Sequence, residues 1–182
     1  EFIIQVLQNE LQQNPEQQIM ILAHNKSLIT YLYKAIEHRN IATVGYYIGG
    51  MKEVDLKISE GKKVIIATYA MASEGLDIKT LTTLIMASPK TDVCQSVGRI
   101  LRTKHTSPLV IDIVDSHVIF EKQWQKRRQY YMKQKYNIIS IDSHSYMTGN
   151  WQTVYDPSKI VESMKRIKQK EEPLKGVCLI KL

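Results

Sequence analysis

The residues best suited to chemistry lie in the run Gln95-Ser96-Val97-Gly98-Arg99-Ile100-Leu101-Arg102. Arg99 and Arg102 are three apart, so on a helix both project from one face, with Gln95 four before Arg99 on nearly the same face. Gly98 lets another backbone or a phosphate approach closely. Two guanidiniums aimed at one point are costly unless an anion arrives between them. The γ-phosphate of a nucleotide is such an anion, and arginine grips it in bidentate fashion. The plainer alternative is a solvated basic helix face with an incidental glycine.

A second group lies upstream. The apolar run Val64–Ala67 ends in Thr68, and Ser73-Glu74-Gly75-Leu76-Asp77-Ile78 follows. A threonine at a strand end can donate to a phosphate. A turn built on Gly75 can place Asp77 where its carboxylate accepts from a sugar hydroxyl. Taken alone, a turn glycine with a helix-capping aspartate explains that run better.

Elements that could position these groups follow from the apolar pattern. Ile3, Ile4, Leu7 and Leu11 fit one helical face, ended by Asn14-Pro15. Strands are expected at Ile19–Ala23, Thr43–Ile48, Val64–Ala67, Thr83–Ala87 and Leu109–Val114. Between them, helices are expected around Leu28–Ile36, over Met51–Ser59 and over Asp92–Leu101. A long basic helix, about His117–Lys135, comes next. Continuous apolar strands alternating with helices predict an α/β fold with a parallel sheet covered on both faces. Ligands gather at the carboxyl ends of the strands in such sheets.

Beyond Tyr136 the pattern weakens. Asn137–Ile141 is read as a strand, Asp142–Tyr155 as polar loop with Trp151 packed on something, and Asp156-Pro157 as a helix start. The expected organisation is a lead-in helix or linker over residues 1–15, an α/β domain over 16–136 and a mainly helical extension over 137–182. Phe120, Trp124 and Tyr131 are read as a packed stripe. Lys126-Arg127-Arg128 is read as a solvated face, with a nucleic-acid backbone contact as the alternative.

Bulk composition is compatible with this organisation. The chain has 182 residues, 43% hydrophobic and 24% charged, ordinary values for a globular domain. The net charge of +7 favours polyanionic partners without fixing a fold. Cys94 and Cys178 are the two cysteines, in no metal-ligand spacing, and the five histidines form none either, so no metal site is assigned. No apolar stretch is long enough to span a membrane. The chain begins Glu1-Phe2 rather than with Met, so a piece of a longer protein is the expectation.

Together, Ala67-Thr68 through Gly75-Leu76-Asp77-Ile78 and then Gln95-x-x-Gly98-Arg99-x-x-Arg102 resemble motifs V and VI of superfamily 2 helicases, in order and at family-like separation. Ile21-Leu22-Ala23-His24-Asn25 resembles motif IV, and Ile48-Gly49-Gly50-Met51 the glycine segment after the next strand. The resemblance covers about residues 18–115. Ala70–Asp77 and Pro89-Lys90-Thr91-Asp92 are most similar to helicases of large cytoplasmic DNA viruses, of the asfarvirus and poxvirus transcript-release type.

The resemblance implies the second RecA-like lobe of an ATP-dependent helicase or translocase. Arg99 and Arg102 would then be the catalytic arginine fingers, with Gln95, Gly75 and Asp77 on the ATP side. Thr68, with the backbone near Asn25, Gly49 and Gly50, would hold a DNA or RNA backbone. The chain contains no Gly-x-x-x-x-Gly-Lys-Ser/Thr loop and no Asp-Glu-x-His/Asp run. In this family both belong to the N-terminal RecA-like lobe. ATP with Mg²⁺ would be bound mainly there, and this chain alone is expected to be inactive. A cytoplasmic or virion location and a role in viral transcription rest on the same likeness. One rival is a non-catalytic nucleic-acid-binding module. Another is a nucleotide-sugar transferase lobe, which the paired arginines argue against.

Overall fold

The structure is a computed structural model that describes residues 1–74, 78–93, 97–98 and 108–159. The expected apolar runs become strands because both their faces are covered. Strand β1 (Gln18–Ala23) is buried at every position. Its neighbours β3 (Val64–Thr68) and β4 (Leu81–Met86) are almost as deeply covered. With β2 (Val44–Tyr47) and β5 (Leu109–Asp112) they form a sheet in the order β2-β3-β1-β4-β5, every pair parallel. The pairings align Tyr46, Ile66, Ile21, Ile85 and Ile111 in one row across the sheet. Gly45, Ile65, Met20, Leu84 and Val110 form the next row, on the opposite face. Each fully buried aliphatic side chain contributes roughly 1.5–3 kcal/mol of transfer free energy.

Helices cover both faces, as the βαβ pattern demands. On one, Tyr33 of α2 (Lys26–His38) stacks on Tyr46, with ring centroids 4.1 Å apart. On the other, Ser59 of α3 (Glu53–Glu60) lies over Gly45 so closely that a Cβ there would sit 2.8 Å from its Oγ. Consecutive strand residues point to opposite faces, so α2 and α3 lie on opposite sides of the sheet. The lead-in helix α1 (Phe2–Gln13) buries Ile4, Val6 and Leu7. Gln17 ties it to the sheet, donating to the Glu10 carbonyl and accepting from the Thr83 hydroxyl. Gln18 donates to the carbonyls of Glu60 and Lys62, both at 2.7 Å, and so fixes the amino edge.

Strand β3 passes straight into a short helix, α4 (Tyr69–Glu74); the turn expected on Gly75 lies outside the described residues. Thr68 Oγ1 accepts from the Met71 N–H at 3.4 Å, and Tyr69 and Ala72 bury, so a capped helical turn outcompetes loop. Asp142–Tyr155 is not loop throughout. It contains a 3-10 helix (Ser143–Thr148), capped by Asp142 and followed by Gly149 at φ +71°, and then strand β7 (Gln152–Tyr155). Strand β7 pairs antiparallel with β6 (Ile138–Ser140), which satisfies its backbone while Gln152 and Thr153 face water. Trp151 packs edge-on against Tyr146, centroids 5.9 Å apart. Finally, Arg127 is not on a solvated face: it is 1% exposed, among the largest fully buried side chains of the described residues.

Two compact units divide the chain, Glu1–Arg127 and Arg128–Leu182. The basic helix α5 (Val118–Lys133) contributes Val118–Arg127 to the first unit and Arg128–Lys133 to the second.

Candidate functional site at the carboxyl edge of the sheet

A parallel sheet brings all its strand ends to one edge. Read across that edge, the order is Gly49-Gly50 after β2, Thr68 at the end of β3, His24-Asn25 after β1, Ser88–Lys90 after β4, and Asp112 at the end of β5. Neighbouring strands are about 4.8 Å apart, so the stretch from β2 to β1 spans about 10 Å. From β1 the chain leaves toward β2, whereas from β4 it leaves toward β5. That reversal makes the β1–β4 gap the topological switch point, where α/β sheets hold ligands.

Four expected site residues therefore share this edge. Asn25 caps α2: its side-chain oxygen accepts from the Ser27 N–H at 2.8 Å, leaving its NH₂ able to donate outward. The Thr68 oxygen is engaged by Met71 N–H, leaving the hydroxyl proton to donate. Nothing lies within 4 Å of where a Cβ would stand on Gly49 or Gly50, and Gly50 has φ +86°. Backbone N–H groups at such an open turn can be approached by a phosphate.

The other five, Gly75, Asp77, Gln95, Arg99 and Arg102, lie outside the described residues. Their surroundings are partly described. Helix α4 leads toward Gly75. On the way to Arg99, the Val97 N–H donates to the Val93 carbonyl at 2.8 Å. Val93 and Val97 are buried, while Gly98 is exposed.

At the switch point is a polar cluster that the sequence did not single out. The His24 N–H donates to Ser88 Oγ at 2.9 Å, and the buried Tyr69 hydroxyl donates to the Ser88 carbonyl at 2.6 Å. The His24 ring lies 4.5 Å from that of Tyr69, and Lys90 Nζ sits 4.9 Å from the Tyr69 ring centroid. Burial, then the Lys90 ammonium, pushes the His24 pKa down; a hydrogen bond involving Pro89 backbone opposes this. Burial, then the Asp112 carboxylate, pushes the Tyr69 phenol far up, so Tyr69 remains a neutral donor.

Arg127 braces the same cluster. Its Nε and Nη2 donate to the two Asp112 carboxylate oxygens at 2.7 and 2.9 Å, and its Nη1 donates to the Lys90 carbonyl at 2.7 Å. The available signal was Asp112 itself, a carboxylate within an apolar strand, which calls for a buried cation.

Comparison with known proteins bears on the same elements. Residues 3–104 match the family model of the helicase conserved C-terminal domain. Over 125 residues, 66% of this chain, the sequence is 47% identical to a protein of Acanthamoeba polyphaga mimivirus named "Putative ATP-dependent RNA helicase". A protein of African swine fever virus (strain Badajoz 1971 Vero-adapted) with the same descriptive name is 27% identical over 152 residues, 76% of this chain. The chain spans 24% and 30% of the lengths of these two relatives. Among solved structures, the C-terminal domain of the DEAD-box protein Dbp5 superposes with a TM-score of 0.58 at 20% identity, covering 71% of this chain and 78% of that one. The fold is thus that of a RecA-like helicase C-terminal domain. This chain belongs to the helicase conserved C-terminal domain family, with relatives among the helicases of large DNA viruses. Among the described residues, no helix is long and apolar enough to cross a membrane.

Proposed function

We propose that this chain is the second motor lobe of an ATP-dependent superfamily 2 nucleic-acid helicase or translocase. The observation that carries the reading is the alignment of Gly49-Gly50, Thr68 and Asn25 along one strand-end edge of a helicase-family fold. Donors at those strand ends hold successive phosphates of one nucleic-acid strand without reading its bases. The relatives' names favour RNA as that strand.

The nucleotide side of the reading rests on the run after β4. Arg99 and Arg102 act as arginine fingers, stabilising charge on the transferring γ-phosphate when the lobes close. Gln95, Gly75 and Asp77 border the nucleotide, with Asp77 toward the ribose. No group of three or more His, Cys, Asp or Glu side chains converges among the described residues. In this reading Mg²⁺ and most ground-state contacts to ATP fall to the N-terminal lobe, since the chain has no P-loop sequence, and this chain brings cations to the γ-phosphate side. In this arrangement residues 16–136 form the lobe, 1–15 lead into it and 137–182 are appended. A role in viral transcription rests on the likeness to viral transcript-release helicases.

The test uses the chain alone. It should bind single-stranded RNA weakly, without sequence preference and with affinity falling steeply as salt rises, because counterions are released. It should hydrolyse no ATP, because the P-loop is absent from its 182 residues. Turnover that survives removal of contaminating ATPases would overturn the two-lobe reading. Strong sequence preference would favour a non-catalytic binding module instead.

A further inference from the structure

We propose that Arg127 is a positioning residue for the proposed arginine-finger run, acting through the backbone of Lys90. Its guanidinium is locked by Asp112 in bidentate fashion and grips the Lys90 carbonyl with its remaining Nη. Lys90 lies between the end of β4 at Met86 and Val93, whose carbonyl accepts from the Val97 N–H. The carbonyl that Arg127 holds thus fixes where the chain enters the run from Gln95 to Arg102. The same short segment is tied a second time: Tyr69 takes the Ser88 carbonyl, and the Lys90 ammonium rests on the Tyr69 ring. Tyr69 opens α4, which leads toward Gly75 and Asp77. Arg127 from α5 and Tyr69 from α4 therefore hold the same short segment, residues 88–90, by two of its carbonyls.

Stability is a poor explanation for this pair. The Arg127 side chain is fully buried and that of Asp112 nearly so. Taking both ions out of water largely offsets their attraction, and well-packed apolar replacements of such pairs are often neutral or stabilising. Directional hydrogen bonds do what apolar packing cannot: they fix a backbone carbonyl in one place. Trp124, 6.0 Å from the guanidinium carbon, limits where that guanidinium can move. Lysine in its place would keep the charge but lose the fork that holds Asp112 and Lys90 together.

The kinetic part of this inference rests on the helicase reading; the structural part does not. The experiment takes the parent enzyme with Arg127→Met/Asp112→Leu, Arg127→Lys and, as reference, Arg99→Ala. It measures RNA-stimulated ATPase, RNA affinity, thermal midpoint and hydrogen exchange of the amides of Ser88, Lys90, Thr91 and Asp92. The expected double variant keeps a near-normal midpoint and ATP KM. Its kcat falls by about 10²-fold, the scale of a roughly 1 Å misplacement remote from the chemistry. Exchange speeds up in residues 88–92 and not across the sheet. Normal kcat with unchanged exchange in the double variant would overturn the proposal, since the pair would then merely stabilise. If the double variant does not fold, Arg127→Lys decides by the same two readouts. If Arg99→Ala leaves kcat unchanged, the finger reading has failed, and exchange at residues 88–92 still tests whether Arg127 holds this segment.

Discussion

Gly49 and Gly50 are neighbours that differ in backbone conformation, and substituting each by alanine separates backbone strain from the proposed ligand contact. No atom lies within 4 Å of an added Cβ at either position, so no clash enters. At Gly50 the backbone has φ +86°, where an L-residue costs roughly 1–2 kcal/mol. Alanine narrows the unfolded ensemble, which returns about 0.4–1 kcal/mol. The net loss is then about 1 kcal/mol, or a midpoint lower by about 2–4 °C for a domain of this size. Gly49 has no such strained φ, so Gly49→Ala should be neutral or slightly stabilising. Its methyl, however, stands where a phosphate would approach the turn. Losing one charge-assisted hydrogen bond of about 1.5 kcal/mol weakens RNA binding roughly tenfold. The assay is thermal unfolding beside fluorescence anisotropy with mixed-sequence single-stranded RNA at low salt. An unstrained Gly50→Ala would refute the backbone argument. A Gly49→Ala variant that binds RNA as well as the wild type would mean the phosphate track stops short of β2.

Two further outcomes concern the switch-point cluster. Tyr69→Phe keeps the ring beneath Lys90 but strands the Ser88 carbonyl, so stability should fall by about 1–3 kcal/mol in urea unfolding, and an unchanged midpoint would contradict the hydrogen bond. His24 has a folded pKa below its ordinary 6.5, so on acidification the unfolded chain takes the proton first. Its contribution is present above about pH 6.5 and is lost as pH falls below that value. Unfolding midpoints on either side of it should fall less on acidification in His24→Gln than in the wild type; equal slopes would show that His24 is not burdened in the fold.

Much of the fold was legible because burial on both faces leaves a plain record. Ile19–Ala23, Val64–Ala67 and Thr83–Ala87 could hardly be anything but inner strands, and the crossover helices followed from Leu28–Ile36 and Met51–Ser59. The edge placement of Asn25, Gly49, Gly50 and Thr68 was legible for the same reason, since parallel strands must end together. What escaped was set by pairing rather than hydropathy. Strand β7 satisfies its backbone against β6 with polar side chains facing water, which reads as loop. Arg127 sits between Lys126 and Arg128, and nothing local distinguishes the arginine whose carboxylate partner, Asp112, lies on a strand of the sheet. Helix α4 is too short for a periodic signal, and the bond by which Thr68 accepts from the Met71 N–H leaves no mark in the sequence.

The central claim is that Arg99 and Arg102 complete a nucleotide site shared with another lobe. It is tested most directly by steady-state ATP turnover of the P-loop-containing parent enzyme with saturating nucleic acid, comparing Arg99→Ala and Arg102→Ala with the wild type. Losses in kcat on the order of 10³–10⁵-fold are expected, as when an arginine finger is withdrawn, with ATP affinity changed far less and nucleotide-free RNA affinity nearly unchanged. Near-normal turnover in both variants together with lost RNA binding would contradict it, placing the two guanidiniums on the strand track instead.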